Sequence, residues 1–493
     1  MILINEEVPI KKITLIPNWN FTTILFFIIG IFSFFSSFFI SKDNWSFHTF
    51  YCFLALLISL LQFLKIFKYD FESFIYDFRI IFLASFTLYF IIGATALTLA
   101  SNEDIDSLMS RFNVNPVTVL RIDSMNFIGF SISLFVFSIT KPITLPRIIR
   151  VLTKKSNNDK SLKIILFLTI VGLITKLLVI ANDFAIFKNA IIISGLVRQL
   201  SQFLLAVILL SALYKGKNQK MIFLLSLLLT LFVSIFGILG FNKTEFIVPI
   251  IAFGVGNAIK KKSILILVLI IIIGSGLLQV IGGIVNYARI NQVERMTLKE
   301  RYEVLVLGID AFKILIEKQE NNDTKYSSYA RISYINAQSA AVHFYDINDG
   351  SKDYLNLLYT FIPRFLYNSK PILTNSGVDL NYKIYGNDAS AEGTGIFIDG
   401  YYNLGWFGLI LGSMICGWVL SQISAIARII TTNKAFIYYP INFFGIFIAF
   451  RIDGTIISDY FGQFIIIIYA IFILFFLKLL IYDRKINLQK TNL

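Results

Sequence analysis

Residues 263–286 read SILILVLIIIIGSGLLQVIGGIVN, a stretch with no charged side chain and no alternation of apolar with polar positions. About 20 apolar residues carry an α-helix across a bilayer. A continuous run also excludes the alternating pattern of a membrane β-barrel. Further runs lie at 21–40, 46–67, 80–100, 118–140, 162–181, 190–213, 221–240, 244–259, 396–427, 435–450 and 459–482. Together they predict an all-α polytopic membrane protein with about twelve transmembrane helices. Composition agrees: the 493 residues are 56% hydrophobic and only 15% charged, with 50 phenylalanines. Soluble domains carry about 25% charged residues, so a soluble enzyme is excluded. The run at 244–259 is short and holds Pro249, Gly254 and Gly256; it reads as a short tilted span, or as a helix break of the kind tolerated beside protein or water.

The formal charge of +14 is spread along the chain as a topology signal. With the N-terminus in the cytoplasm, 24 Lys and Arg fall on cytoplasmic segments and five on short outer ones, the asymmetry that orients membrane helices. An even number of spans leaves both termini cytoplasmic, and charge distributed in this way excludes nucleic acid as a partner. Phe21 to Ile40 is too long for a signal-peptide core and lacks a small-residue cleavage site, so it reads as an uncleaved first span. Cys52 and Cys416 both lie in apolar runs, and His48 and His343 are the two histidines. Neither a disulfide framework nor a Cys- or His-based metal site is predicted.

These features divide the chain into a membrane domain at 1–287 with about nine spans, an outer insert at 288–395, and a second membrane segment at 396–493 with three spans and a cytoplasmic tail. The insert holds 12 basic and 13 acidic residues. Val293 to Glu320 has helical periodicity, Arg331 to Phe344 suggests a second helix, and Pro371 to Glu392 is loop-like in composition.

Arg121, Lys176 and Arg198 lie inside apolar runs. A charge at such a position costs roughly 2.5–3.5 kcal/mol on insertion scales and marks a functional candidate. All three are expected in the outer leaflet, where they suit an anionic group such as the diphosphate of a lipid carrier. The structural alternative is snorkelling, or pairing with a neighbour such as Asp123 or Asp183. In the insert, Arg289, Arg331 and Arg364 stand among apolar and aromatic residues, in NYARI, YARIS and FIPRF. Guanidinium binds phosphate through paired planar hydrogen bonds; a salt bridge to one of the insert's acids is the alternative. His343, in SAAVHFYD, is either a general base or an ordinary satisfied side chain. The Asp104 and Asp106 pair is discounted, because nucleotide-sugar chemistry would want it on the cytoplasmic side. No phosphate-binding loop and no zinc-protease helix motif occurs.

Three stretches, ARISYINAQSAAVHFYD, LYTFIPRFLYNSKP and GTGIFIDGYYNLGWFGLILG (Gly393 to Gly412), resemble the bacterial O-antigen polymerases of the Wzy type, the oligosaccharide repeat-unit polymerases. The matching positions are Arg331, then Ile362, Pro363 and Arg364, then Lys370 and Pro371. Asp399 follows where the family has Glu, with Tyr401 or Tyr402, Asn403, Gly405 and Gly408. The resemblance covers about 289–412 and rests elsewhere on topology.

The resemblance implies a fold similar to the GT-C glycosyltransferase class and a location in the bacterial inner membrane. The substrates it implies are oligosaccharides on undecaprenyl diphosphate, and the expected partners are membrane lipid and a chain-length regulator protein. It implies inverting, metal-independent transfer with no cofactor and no metal ligand. Arg364, Arg289 and Arg331 are the expected stabilisers of the departing diphosphate, with Lys370 alongside and Arg198 and Lys176 as deeper anchors. His343 and Asp399 are the expected candidates for the base. An O-antigen ligase and a flippase or transporter of the same lipid-linked sugar are the rival readings; inverted repeats, which many transporters show, are not visible.

Overall fold

The computed structural model describes residues 19–40, 44–66, 71–99, 102–141, 158–184, 197, 200–216, 218–290, 296–321, 333–354, 359, 362, 367, 369, 375–386, 391–465, 467–468 and 471–472. Every regular element among them is helical. The main helices in chain order are α1 (Asn20–Ser36), α2 (Ser46–Ile66), α3 (Phe78–Phe86), α4 (Asn102–Phe112), α5 (Pro116–Ile139), α6 (Asn158–Asp183), α7 (Phe203–Leu213), α8 (Gln219–Leu239), α9 (Lys243–Lys261), α10 (Ile264–Ile290), α11 (Leu298–Asn321), α12 (Ile335–Asp346), α13 (Asn375–Tyr385), α14 (Ile396–Thr432) and α15 (Tyr439–Phe450). Among the described residues, five helices are long and apolar enough to cross a membrane: α2, α5, Leu162–Asp183 of α6, α8 and α14. Asn20–Ser36, Phe78–Ile92, Phe203–Leu213 and Phe436–Phe450 are shorter apolar helices. Large apolar side chains such as Phe32, Phe53, Leu64, Leu228 and Ile235 face outward, as on a lipid-facing surface. The chain is a helical membrane protein.

The apolar run at 80–100 does not form one straight helix. α3 passes into a π-helical turn at Thr87–Ile92, and a 3₁₀ turn follows at Ala94–Leu99. The Thr87 hydroxyl donates to the Leu83 carbonyl at 2.8 Å, competing with the backbone ladder. The Gly93 amide then reaches back five residues to the Leu88 carbonyl at 2.9 Å. In contrast, α9 runs unbroken through Pro249.

The residues group into two compact units, one of 1–143, 325–424 and 446–465, the other of 144–324, 425–445 and 466–493. Residues 288–395 are divided between them: α11 belongs to the second unit, α12 and α13 to the first.

In the first unit α5 is central. Asn115 starts it by accepting from the Thr118 amide at 2.9 Å, with Pro116 in the first turn, where a missing N–H costs nothing. Ser33 of α1 donates to the Leu120 carbonyl at 2.9 Å, and Ser133 of α5 donates to the Ser413 carbonyl of α14 at 3.0 Å. Phe26, Phe86, Phe127 and Phe130 meet around it, Phe86 stacking on Phe130 at 4.1 Å. The segment expected as a loop at 371–392 contains α13. Its polar residues hide an amphipathic helix: Leu380 is buried, Ile384 packs on the same core, and Asp379 pairs with Lys383 one turn on at 3.0 Å.

In the second unit α7 is buried along its length. Ser226 and Ser234 of α8 donate to the carbonyls of Ile208 on α7 and Phe246 on α9, at 2.7 and 2.8 Å. Arg301 on α11 is buried between the rings of Phe184 and Phe241. Its guanidinium donates to the carbonyls of Asp183 at 2.9 Å, Leu239 at 3.4 Å and Met296 at 3.3 Å. Asp183 and Leu239 end α6 and α8, so one cation caps the negative ends of two helix dipoles and fastens α11 there.

Candidate functional site

The stretch Gly393 to Gly412 opens α14, which is two helical arms joined at a kink. Leu404 (φ −142°, ψ 22°) and Gly405 (φ 61°, ψ −148°) leave helical geometry. That Gly405 conformation is open essentially to glycine alone, and the ring of Tyr345 occupies the place a Cβ would take. Across the bend the backbones of Gly400 and Gly408 touch, so a Cβ at Gly408 would overlap the Gly400 carbonyl.

On the helical arm before the bend, successive side chains are about 100° apart, so the motif residues face different ways. Asp399 points inward and is buried. Its carboxylate accepts from Ser376 Oγ at 2.8 Å, the Ile456 amide at 3.1 Å, Tyr354 Oη at 3.4 Å and Asn403 Nδ2 at 3.5 Å. Asn403 in turn accepts from the Tyr354 amide at 3.2 Å. Asp399 therefore ties the segments at 354, 376 and 456 to the short arm of α14. Four donors thus converge on this one carboxylate.

Tyr401 and Tyr402 are buried, and their hydroxyls bond to less buried charged groups. Tyr401 Oη donates to Asp346 Oδ1 at 2.8 Å and accepts from Arg121 Nη2 at 3.1 Å. Arg121 also grips Asp346, Nη1 to Oδ2 at 2.7 Å and Nη2 to Oδ1 at 3.4 Å. Arg121 and Asp346 keep 28% and 35% of their side-chain surface open, enough for a ligand to reach them. Tyr402 Oη donates to Asp379 Oδ2 at 2.5 Å and accepts from Lys383 Nζ at 3.0 Å. Lys383 lies 3.1 Å from Asp349 and 3.0 Å from Asp379.

His343 is half-buried on α12, next to Asn113. Asn113 Nδ2 donates to His343 Nδ1 at 3.2 Å, so the proton of the neutral ring sits on Nε2. Asn113 has a positive φ of 57°, at the turn between α4 and α5. On the same rim the Arg111 guanidinium lies over the Tyr385 ring at 4.5 Å. Burial holds the Glu392 carboxyl above the usual carboxylate range, opposed by its bond from Tyr385 and by Arg111.

The partly open side chains of Arg121, His343, Asp346 and Lys383, with the hydroxyls of the buried Tyr401 and Tyr402, make a polar shelf on a core that holds both tyrosine rings with Ile122, Met125, Ala341 and Leu380. Its guanidinium, ammonium, imidazole and carboxylates are the kinds of group that hold hydroxyl-rich or phosphorylated ligands. No family model, curated protein or solved structure matches the chain.

Of the residues singled out from sequence, His343 and Asp399 both lie in the first unit, His343 half-buried and Asp399 buried. Lys176 belongs to the second unit, buried and paired with Glu245 at 2.6 Å. Arg198, Arg331, Arg364 and Lys370 lie outside the described residues, and Arg289 is described only as a position on α10. Asp346, Asp379, Lys383 and Ser376 were not singled out, and their ordinary polar context offers no local signal. The pairing of Arg121 was legible only as a charge in an apolar run.

Proposed function

We propose that this chain polymerises undecaprenyl-diphosphate-linked oligosaccharide repeat units into O-antigen or capsule-like polysaccharide at the outer face of the bacterial cytoplasmic membrane, in a fold of about twelve spans similar to the GT-C class. One observation carries the reading. The segment that resembles the family, Asp399 to Gly408, supplies the tyrosine hydroxyls that bond Asp346 and Asp379 and the carboxylate that bonds Ser376.

In this reading the acceptor's sugar hydroxyl attacks the anomeric carbon of the growing chain, and the undecaprenyl diphosphate leaves with the bonding electron pair. Negative charge grows on the diphosphate, so fixed cations lower the barrier. Arg364, Arg331 and Lys370 take that role by resemblance. Arg121 joins them on its geometry: a forked guanidinium held in place yet partly open. With Nδ1 accepting from Asn113, His343 keeps its N–H at Nε2, a donor suited to a leaving phosphate oxygen. For it to serve as a base, the ring must first shift its proton to Nδ1 and give up the bond from Asn113.

The test is deletion in a host whose surface glycan is resolved on a gel. Loss of the polymer ladder with single repeat units retained supports polymerisation. Loss of the repeat units as well favours a flippase, and polymer that accumulates on its lipid carrier favours a ligase.

A further inference from the structure

His48 and Cys52 stand one turn apart on α2, facing Asp123 of α5, and all three are buried. His48 Nδ1 lies 2.6 Å from Asp123 Oδ2, and Cys52 Sγ lies 3.8 Å from Nδ1. One donor atom from each residue fits within a 4.8 Å group. His48 Nε2 lies 3.1 Å from the Ala94 carbonyl, which can only accept, so Nε2 carries hydrogen and Nδ1 faces Asp123. A backbone carbonyl fixing the far ring nitrogen is the support that metal-ligating histidines commonly have.

We propose that His48 Nδ1, Cys52 Sγ and Asp123 Oδ2 form a binding site for a zinc-class divalent cation within the membrane part of the first unit. Imidazole, thiolate and carboxylate together form a donor set that suits zinc. Bonds of about 2.0–2.3 Å place tetrahedral ligands roughly 3.3–3.7 Å apart. The sulfur is already 3.8 Å from Nδ1, and the nitrogen–oxygen pair at 2.6 Å opens by about 0.7 Å to admit the ion. Charge balances on exchange. Without the ion, the thiol keeps its proton and one further proton bridges Nδ1 and Oδ2, so the cluster is neutral. The cation displaces both protons to solvent and meets one thiolate and one carboxylate, and the cluster is neutral again. Neutrality in both states matters where an unpaired charge is costly.

The site is distinct from the polar shelf. Asp123 follows Arg121 by two residues, about 200° around α5, so the two side chains leave the helix on opposite sides. The ion is structural, joining α2 to α5, and its presence is read without any measurement of activity.

The test uses the full chain, purified in detergent without a polyhistidine tag and dialysed against a weak chelator. Elemental analysis should find stoichiometric zinc, and replacement by Co²⁺ should give the near-ultraviolet charge-transfer band of a cobalt–thiolate bond. Cys52→Ser should abolish the band. Asp123→Asn should lower metal affinity by at least the about 10–100-fold that follows loss of a ligand's supporting partner. Added zinc should raise the melting temperature of the wild type and not that of Cys52→Ser. Wild-type protein that retains no metal and develops no cobalt band overturns the proposal and leaves a buried His–Asp pair. Metal retained unchanged in Cys52→Ser and Asp123→Asn overturns the assigned site.

Discussion

Arg121 and Asp346 are 225 residues apart in the chain and meet through both terminal nitrogens of the guanidinium, with Tyr401 closing the triangle. One contact therefore joins a membrane helix, an insert helix and the bent start of α14. The fork is what makes the arrangement specific, since an ammonium group cannot hold two carboxylate oxygens and a phenol in one plane.

Arg121→Lys should therefore fail to restore function although it keeps the charge. The pair is partly open, so its loss should cost at most about 1 kcal/mol of stability. Removing a transition-state donor typically costs about 10²–10³ in rate. The measurement is polymer formation normalised to folded protein in the membrane. Full activity of Arg121→Lys at equal abundance removes Arg121 from the reaction.

Asp399 should behave as a structural tie. Asp399→Ala leaves the Ser376 hydroxyl and the Ile456 amide without their acceptor, and each buried unsatisfied group costs about 1–3 kcal/mol. Folded protein should fall sharply in Asp399→Ala and less in Asp399→Asn, which keeps one carbonyl oxygen. Normal amounts of folded but inactive Asp399→Ala would instead indicate a chemical role.

Gly405→Ala forces a side chain into backbone space that suits glycine and against the Tyr345 ring. Strain of this kind costs of order 1–3 kcal/mol, and the collision adds to it. The melting temperature in detergent should drop. An unchanged melt would show that the bend at Leu404 and Gly405 is not as described.

Glu392 gives a pH dependence with a definite sign. Its folded pKa is raised by burial, so proton uptake favours the folded state. That contribution is fully present below the unfolded carboxyl value of about 4.3 and is lost as pH rises through the raised folded value. Glu392→Gln should thus melt higher than the wild type at neutral pH, with the difference disappearing below about pH 4. A variant less stable at neutral pH would refute this.

The helical membrane class was legible because a long apolar run needs no tertiary partner to identify it. Partners were not legible. Asp183 is seven residues beyond Lys176, about 10 Å along the same helix and out of reach, and the carboxylate found is Glu245 on α9. α13 was read as a loop because its Asn, Ser and Asp residues satisfy turn chemistry locally, and its helix is held by burial of Leu380. Arg301 gave no signal at all, since backbone carbonyls have no residue-type signature. Asp399 was found by its motif, yet no sequence pattern announces that four donors converge on it.

The sharpest division concerns His343. Its Nδ1 accepts from Asn113, so the ring offers an N–H at Nε2. If that N–H steadies a departing phosphate oxygen, glutamine supplies a comparable donor but no titratable proton. His343→Gln should then retain part of the polymerisation that His343→Ala loses. Asn113→Ala should act in the same direction as His343→Ala but more weakly, because it frees the tautomer without removing the ring. If the ring instead removes the acceptor's proton, glutamine and alanine should be equally inactive. In that case Asn113→Ala should raise the rate, because Nδ1 no longer fixes the hydrogen on Nε2. Polymer formation by the three variants at matched protein levels separates donor from base. Equal, full activity of all three would take His343 out of the site.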